Sequence, residues 1–298
     1  MRVSALIPVF FSLLALILTF LCLFAGSKTT VLAGYPIITL NTSELFQNSL
    51  NTTIAKSSPK TAALINGLPV PDVAGGYDTV SRKLGLHDFY TINILNFCEG
   101  YFSPGPAPNA TLKAGDIHKQ FSGCTSTKAL YDFNFEQILQ AEINQAGHTD
   151  INLTKLQFPN AVQTGLNAFH KAQEAVFILY CFGIGFTFIL FGLSLVGVFL
   201  SGRISAFINV LFASLAFVSL AFASAVVTVL AAKGSSLINK FGKDIGLAAS
   251  SGGKLLALTW VATVALIVCA SVWCFDCIVG RRASRQTRHE EKAGSTSS

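Results

Sequence analysis

The sequence predicts an integral membrane protein, mainly α-helical. It is read as a four-helix transmembrane bundle with a disulfide-linked, glycosylated outer domain that contains a small β-sheet. Three observations carry that prediction. Lys, Arg, Asp and Glu make up 12% of the 298 residues, against about 25% in soluble domains. The apolar excess is concentrated in four blocks free of these residues: Val3–Gly26, Ala175–Gly202, Ile204–Ala232 and Leu255–Phe275. Between the first two blocks lie all four N-x-S/T glycosylation acceptors, Asn41, Asn51, Asn109 and Asn152, and an isolated cysteine pair, Cys98 and Cys124. A chain disordered throughout and an ordinary cytosolic enzyme are both excluded.

Each block is long enough to cross a hydrocarbon core, which takes about 20 helical residues. Without water, the backbone must satisfy its own hydrogen bonds, and helices do so. The expected divisions are 1–26 (cytoplasmic start and first span), 27–174 (extracellular domain), 175–202 and 203–232 (second and third spans), 233–254 (short extracellular connection), 255–279 (fourth span) and 280–298 (basic cytoplasmic tail). The first block resembles a signal peptide in its Arg2 start. Its apolar run exceeds the roughly 7–15 residues of such a segment, so a retained helix is expected. Pro8 falls in the first turns, where proline is tolerated.

Glycosylation acceptors face the secretory lumen, which puts 27–174 outside and both termini in the cytoplasm. The tail agrees: Arg281, Arg282, Arg285, Arg288 and Lys292 outnumber Glu290 and Glu291, as the positive-inside rule requires. The third connection runs against it, with Lys233, Lys240, Lys243 and Lys254 opposed by Asp244. The acceptors and the tail together outweigh that connection. A multi-pass protein of the plasma membrane is expected.

In an oxidising compartment Cys98 and Cys124 pair as a disulfide. Phe89–Phe97, aromatic and β-branched, reads as a strand leading into Cys98. Tyr131, Phe133 and Phe135, alternating with Asp132 and Asn134, read as a second strand after Cys124. The Pro- and Gly-rich run from Ser103 to Asn109 is a loop between them. A further strand is read within Val31–Leu40. Pro159-Asn160 starts a helix whose face Val162, Leu166, Phe169 and Gln173 leads into the second span.

The third span is crowded with Ala213, Ser214, Ala216, Ser219, Ala221, Ala223, Ser224 and Ala225, which permit close helix approach. No ionisable residue sits well inside a span, which argues against a transport path. In 233–254, Leu237, Phe241, Ile245 and Ala248 form one stripe. Two readings stay open there: a separate amphipathic helix capped by Ser235 or Ser236, or a continuation of the third span. At the inner end of the fourth span, Trp273 suits the membrane interface. Cys274 and Cys277, beside Arg281 and Arg282, are palmitoylation candidates. The basic tail is drawn to anionic inner-leaflet lipid, and Ser284 in Arg-Arg-Ala-Ser is a phosphorylation candidate. The tail, ending in Gly294-Ser-Thr-Ser-Ser, is read as unstructured.

No catalytic motif is present, and no cofactor is expected. None of His87, His118, His148, His170 and His289 pairs at helical metal-ligand spacing, so no metal site is expected. Glu99, Asp116 and Asp132 read as solvated carboxylates. The modest charge of +6 is split across the membrane and gives nucleic-acid binding no support.

One span, a large loop with two cysteines, three further spans and a basic tail resemble the fungal Sur-seven/PalI family of tetraspan membrane proteins. The residues that carry the resemblance are Asn96-Phe-Cys98-Glu-Gly100, then Cys124 followed by Tyr131-Asp-Phe133, and Gly253-Lys-Leu-Leu-Ala-Leu-Thr-Trp260. The resemblance implies a non-catalytic organiser of static plasma-membrane domains of the eisosome type. It ties such a protein to membrane organisation, endocytosis, cell-wall integrity and sporulation. The implied partners are other tetraspan or eisosome proteins, further copies of the chain, and contacts on the cell-wall side. The alternative within the family is an accessory role in ambient-pH sensing, for which the four loop histidines are the natural titrating groups. PalI-type members carry long polar tails, and the short tail here leans to the cortical-domain group. The family is likened to claudins, but the loop lacks their Trp, so no claudin-like adhesion follows.

Overall fold

A computed structural model describes residues 6–45, 79–106, 113–130, 134–149, 160–199, 203–243 and 246–295. The chain is mainly helical, with one small antiparallel sheet. It forms two compact units. The span unit takes residues 1–23, 176–225 and 256–298, and the sheet unit takes residues 24–175 and 226–255.

Helix α1 (Leu6–Leu23) is the first candidate membrane span. The others belong to three long helices: α4 (Asn160–Phe199), α5 (Arg203–Gly242) and α6 (Gly253–Ser295). Their apolar stretches are Lys171–Phe199, Ile204–Gly242 and Gly253–Ile278. Within the span unit, small residues set the packing, because lipid supplies no hydrophobic drive for helices to associate. A Cβ at Gly183 would lie 2.6 Å from Leu220, and one at Gly197 2.7 Å from the Trp273 ring. Of the eight small residues named from Ala213 to Ala225, Ala213, Ala216, Ala223 and Ser224 are the fully buried ones. Ala225 is exposed, so one stripe of that set makes the contacts. Trp273 is itself buried, packed toward Gly197 rather than set at the lipid interface. Phe10, Phe182, Phe188, Phe199, Phe207 and Phe222 point outward, as expected of a surface solvated by lipid.

In the sheet unit the strands are β1 (Ile38–Asn41), β2 (Phe89–Ile92), β3 (Phe97–Ser103), β4 (His118–Cys124) and β5 (Ala248–Ser251). They lie in the order β4-β3-β2-β1-β5, all antiparallel. One-turn helix α2 (Val80–Lys83) precedes β2, and α3 (Phe135–Gln145) follows β4. The aromatic run Phe89–Phe97 is therefore not one strand but a hairpin. Its turn has neither Gly nor Pro, and buried amides replace them. The Asn93 backbone N–H bonds the Asn96 carbonyl at 2.9 Å, and the Asn96 amide donates to the Gly26 and Thr125 carbonyls. Gln173 donates to the carbonyls of Asn93 and Ile94.

The second cysteine ends a strand instead of preceding one. β4 runs up to Cys124, directly opposite Cys98, and the two form a disulfide. Beyond it, Phe135 opens helix α3, and Asn134 caps it by accepting from the Gln137 N–H at 3.2 Å. Tyr131, Asp132 and Phe133 lie outside the described residues. The alternation read there as a strand is overridden at its end by the cap, because an Asn at that point satisfies an otherwise orphaned helix donor.

Of the two readings of 233–254, the continuation holds: α5 runs unbroken to Gly242. The Ser235 hydroxyl bonds back to the Ala231 carbonyl at 2.7 Å and caps nothing. Strand β5 then adds to the sheet beside β1. Its Ala-Ala-Ser-Ser sequence has little strand propensity, and its partners impose the conformation. β1 pairs one side, and the Asn239 side chain of α5 bonds both the N–H and C=O of Ala249 on the other, at 2.6 and 2.9 Å. Gly252 is required there, since a Cβ would lie 1.6 Å from the Pro36 carbonyl oxygen. The tail read as unstructured continues α6 as far as Ser295. Its Arg, Gln, Ala, Glu and Lys are good helix formers, and no proline interrupts them.

Candidate functional site

On the sheet face that carries Tyr90, Glu99 and Tyr101, three chain segments bring a histidine and two carboxylates together. His87 comes from the segment before β2, Glu99 from β3 and Glu142 from α3. One ligand-type atom from each lies within 4.8 Å of the others, and all three residues are half-buried. His87 Nδ1 is 3.3 Å from both carboxylate oxygens of Glu142.

Each side chain is held by its surroundings. Tyr90, fully buried, donates its hydroxyl to Glu142 and accepts the His87 backbone N–H at 3.2 Å. Its ring meets Phe135 edge-on, 5.9 Å between centroids, and so anchors α3 at the sheet. Leu139 and Ile143 bury the same side of α3. The His87 carbonyl accepts from the Thr42 hydroxyl at 2.6 Å. Next along the chain, Asp88 is fully buried, accepts from Arg82 through both oxygens, and takes the Phe102 N–H at 2.8 Å. Arg82 also donates to the Phe102 carbonyl. Glu99 stands opposite Tyr90 at a bulge between Glu99 and Gly100. Bulges re-aim side chains, and Glu99 turns over Gly123, where an added Cβ would crowd its carboxylate at 3.2 Å.

The electrostatics follow from this geometry. Burial works against a charged His87, but the hydrogen bond and charge of Glu142, with smaller help from Glu99 and Asp88, outweigh it and raise its pKa. Glu99 is raised first by burial, then by Glu142, with His87 opposing. Burial and the neighbouring carboxylates push the Tyr90 and Tyr101 phenols up, so both stay protonated. The arrangement suits holding a proton or a cation between the two carboxylates.

The site residues expected from sequence are dispersed. Cys98 and Cys124 form the disulfide. Asn41 is half-buried at the end of β1, and its side-chain oxygen accepts from the N–H and hydroxyl of Ser43. Asn51, Asn109 and Asn152 lie outside the described residues. Cys274 is exposed and Cys277 half-buried, neither in a disulfide. The backbone at Arg281, Arg282, Ser284, Arg285 and Arg288 is helical, and their side chains lie outside what the structure describes. Of the other loop histidines, His118 is exposed on β4, and the His148 ring contacts the Lys83 carbonyl at 3.3 Å. The cluster was missed because Glu99 read as solvated and because its members are 12 and 43 residues apart. No spacing rule links them, and only the strand register and α3 do.

The SUR7/PalI family model matches residues 4–272. The SUR7 family protein pun1 of Schizosaccharomyces pombe is 26% identical over 176 residues, which cover 55% of this chain and 54% of that protein. The chain thus spans about half the length of that curated relative. No solved structure matches.

Proposed function

This chain belongs to the SUR7/PalI family, and from that premise we propose that it is a non-catalytic organiser of static, furrow-like domains of the plasma membrane. The observation that carries the reading is the extent of the match, which begins before the first candidate span and ends within the fourth. The small-residue packing of the spans and their outward phenylalanines fit a body whose work is lateral association with lipid, with its own copies and with other tetraspans. In this reading the sheet unit faces the cell wall and carries the glycans. The basic end of α6 lies on anionic inner-leaflet lipid, where each Lys or Arg near the surface contributes about 1 kcal/mol. Acylation at Cys274 and Cys277 would hold that end down, and phosphorylation of Ser284 would loosen it. Support for endocytosis and cell-wall integrity follows from domain organisation.

The test is live imaging of a fluorescent fusion beside a marker of membrane furrows. Stable cortical patches that coincide with the marker and recover slowly after bleaching are expected. A uniform, rapidly recovering signal would sink the proposal. If a deletion strain then failed only in alkaline medium, the assignment would pass to the pH-sensing branch.

A further inference from the structure

We propose that His87, Glu99 and Glu142 form a zinc site that clips helix α3 onto the sheet. The argument begins with distance. Ligands about 2.0–2.1 Å from a tetrahedral zinc ion stand about 3.3 Å from one another. His87 Nδ1 and the two Glu142 oxygens are separated by 3.3 Å. A charge-assisted N–H···O bond closes to about 2.7–2.9 Å, and neither contact does so, although both oxygens face the ring equally. Glu99 offers a carboxylate oxygen within 4.8 Å of the ligand atoms of both.

Charge points the same way. Glu99 and Glu142 are close enough to interact directly, and the charged neighbours acting on Glu99 are His87 and Glu142. Arg82, the nearby guanidinium, is engaged in a two-pronged pair with Asp88. Two carboxylates in contact repel unless a positive charge or proton lies between them. The donor set selects the ion. Calcium takes six to eight oxygens and magnesium an octahedron of them, whereas one imidazole and two carboxylates with an open fourth position suit zinc. Side-chain exposures of 16% for His87 and 15% for Glu142 leave that position accessible to one water.

Metal ligands are held by outer hydrogen bonds that fix their orientation. Here Tyr90 holds Glu142 and the His87 backbone, Thr42 holds the His87 carbonyl, and the Arg82–Asp88 pair fixes the adjoining residue. The Asp88 N–H bonds the Gly100 carbonyl and β2 pairs with β3, so His87 and Glu99 are already joined through the sheet, and an ion there would tie helix α3 to that strand pair. It would stabilise the docked position of α3 in proportion to its affinity.

The experiment uses the full chain in detergent micelles, stripped with a chelator and titrated with Zn²⁺ against a chromogenic competitor. One zinc per chain is expected. Glu142→Gln and His87→Gln should each weaken binding by about tenfold or more, and His118→Gln, on the exposed part of β4, should leave it unchanged. Co²⁺ loaded in place of zinc should give the visible bands of a four- or five-coordinate ion, and Glu99→Gln should alter them. A variant counts when it elutes as a single species and keeps its disulfide. Should Glu142→Gln not fold, His87→Gln and Glu99→Gln decide. Absence of saturable binding, unchanged affinity in these variants, or tighter binding of Ca²⁺ or Mn²⁺ than of Zn²⁺ would overturn the proposal.

Discussion

In the sheet unit, Asp88 has no exposed surface, yet three donors from Arg82 and Phe102 surround it. In the span unit, the buried polar groups are hydroxyls and amides that mostly turn back on their own helix. Thr187 bonds the Gly183 carbonyl at 2.7 Å, Thr263 that of Thr259 at 2.9 Å, and Asn209 that of Ser205 at 2.9 Å. The cross-helix polar contacts include neutral pairs such as Ser224 with Thr263 at 3.2 Å and Ser194 with Asn209 at 3.3 Å. The contrast reflects the two solvents. Beside water, a buried charge is tolerable when its partners are built in. In hydrocarbon, a charge is costly wherever it is placed, so shape carries the specificity. The sheet unit should therefore be most sensitive to loss of a partner, and the span unit to added volume.

The largest expected effect comes from breaking the buried ion pair. Asp88→Ala removes the carboxylate that accepts from two Arg82 nitrogens and from the Phe102 N–H and should cost about 3–4 kcal/mol. Limited proteolysis should then cut within the sheet unit while the helical circular dichroism of the spans persists. If both were lost together, the two units would not be independent in stability. Removing the disulfide with Cys98→Ala and Cys124→Ala should cost roughly 3 kcal/mol, given the 26-residue separation. The predicted sign is faster cleavage of the sheet unit, with reduction of the native protein giving the same pattern.

In the spans, Gly197→Ala forces a methyl group to within 2.7 Å of the Trp273 ring and should cost about 2 kcal/mol by overpacking, read as a lower melting temperature in detergent. Gly192→Ala meets nothing within 4 Å and should stay within about 0.5 kcal/mol. Equal effects at the two glycines would remove the claim that shape governs this unit. The smallest effect on stability belongs to Cys274→Ser with Cys277→Ser, which should abolish any thioester-linked acyl label. Label that persists would exclude acylation there.

The spans and the disulfide could be read in the sequence because each follows from a local rule: a charge-free run, or two cysteines in one segment. The sheet was legible in kind but not in its strands. Asn93 to Asn96 turn the chain without Gly or Pro, so one aromatic run hides two strands, and Ala248–Ser251 becomes a strand through β1 and Asn239 rather than through its own residues. The cluster of His87, Glu99 and Glu142 was invisible for the same reason at a larger scale. Its members are united by a bulge, a cap and a helix docking, none of which leaves a spacing pattern.

The pairing of β1 with β5 has a consequence for how the protein is made. About 210 residues separate Ile38 from Ala248, and two of the four apolar helices lie between them. At about 5–20 residues per second, β1 leaves the ribosome roughly 10–40 s before its outer neighbour exists. Throughout that interval one side of β1 is an open strand edge, the kind that recruits foreign strands. Asn239 and β5 close it last. Completion of the sheet therefore reports that α4 and α5 have been synthesised, and an open β1 edge marks an unfinished chain to any factor that inspects it.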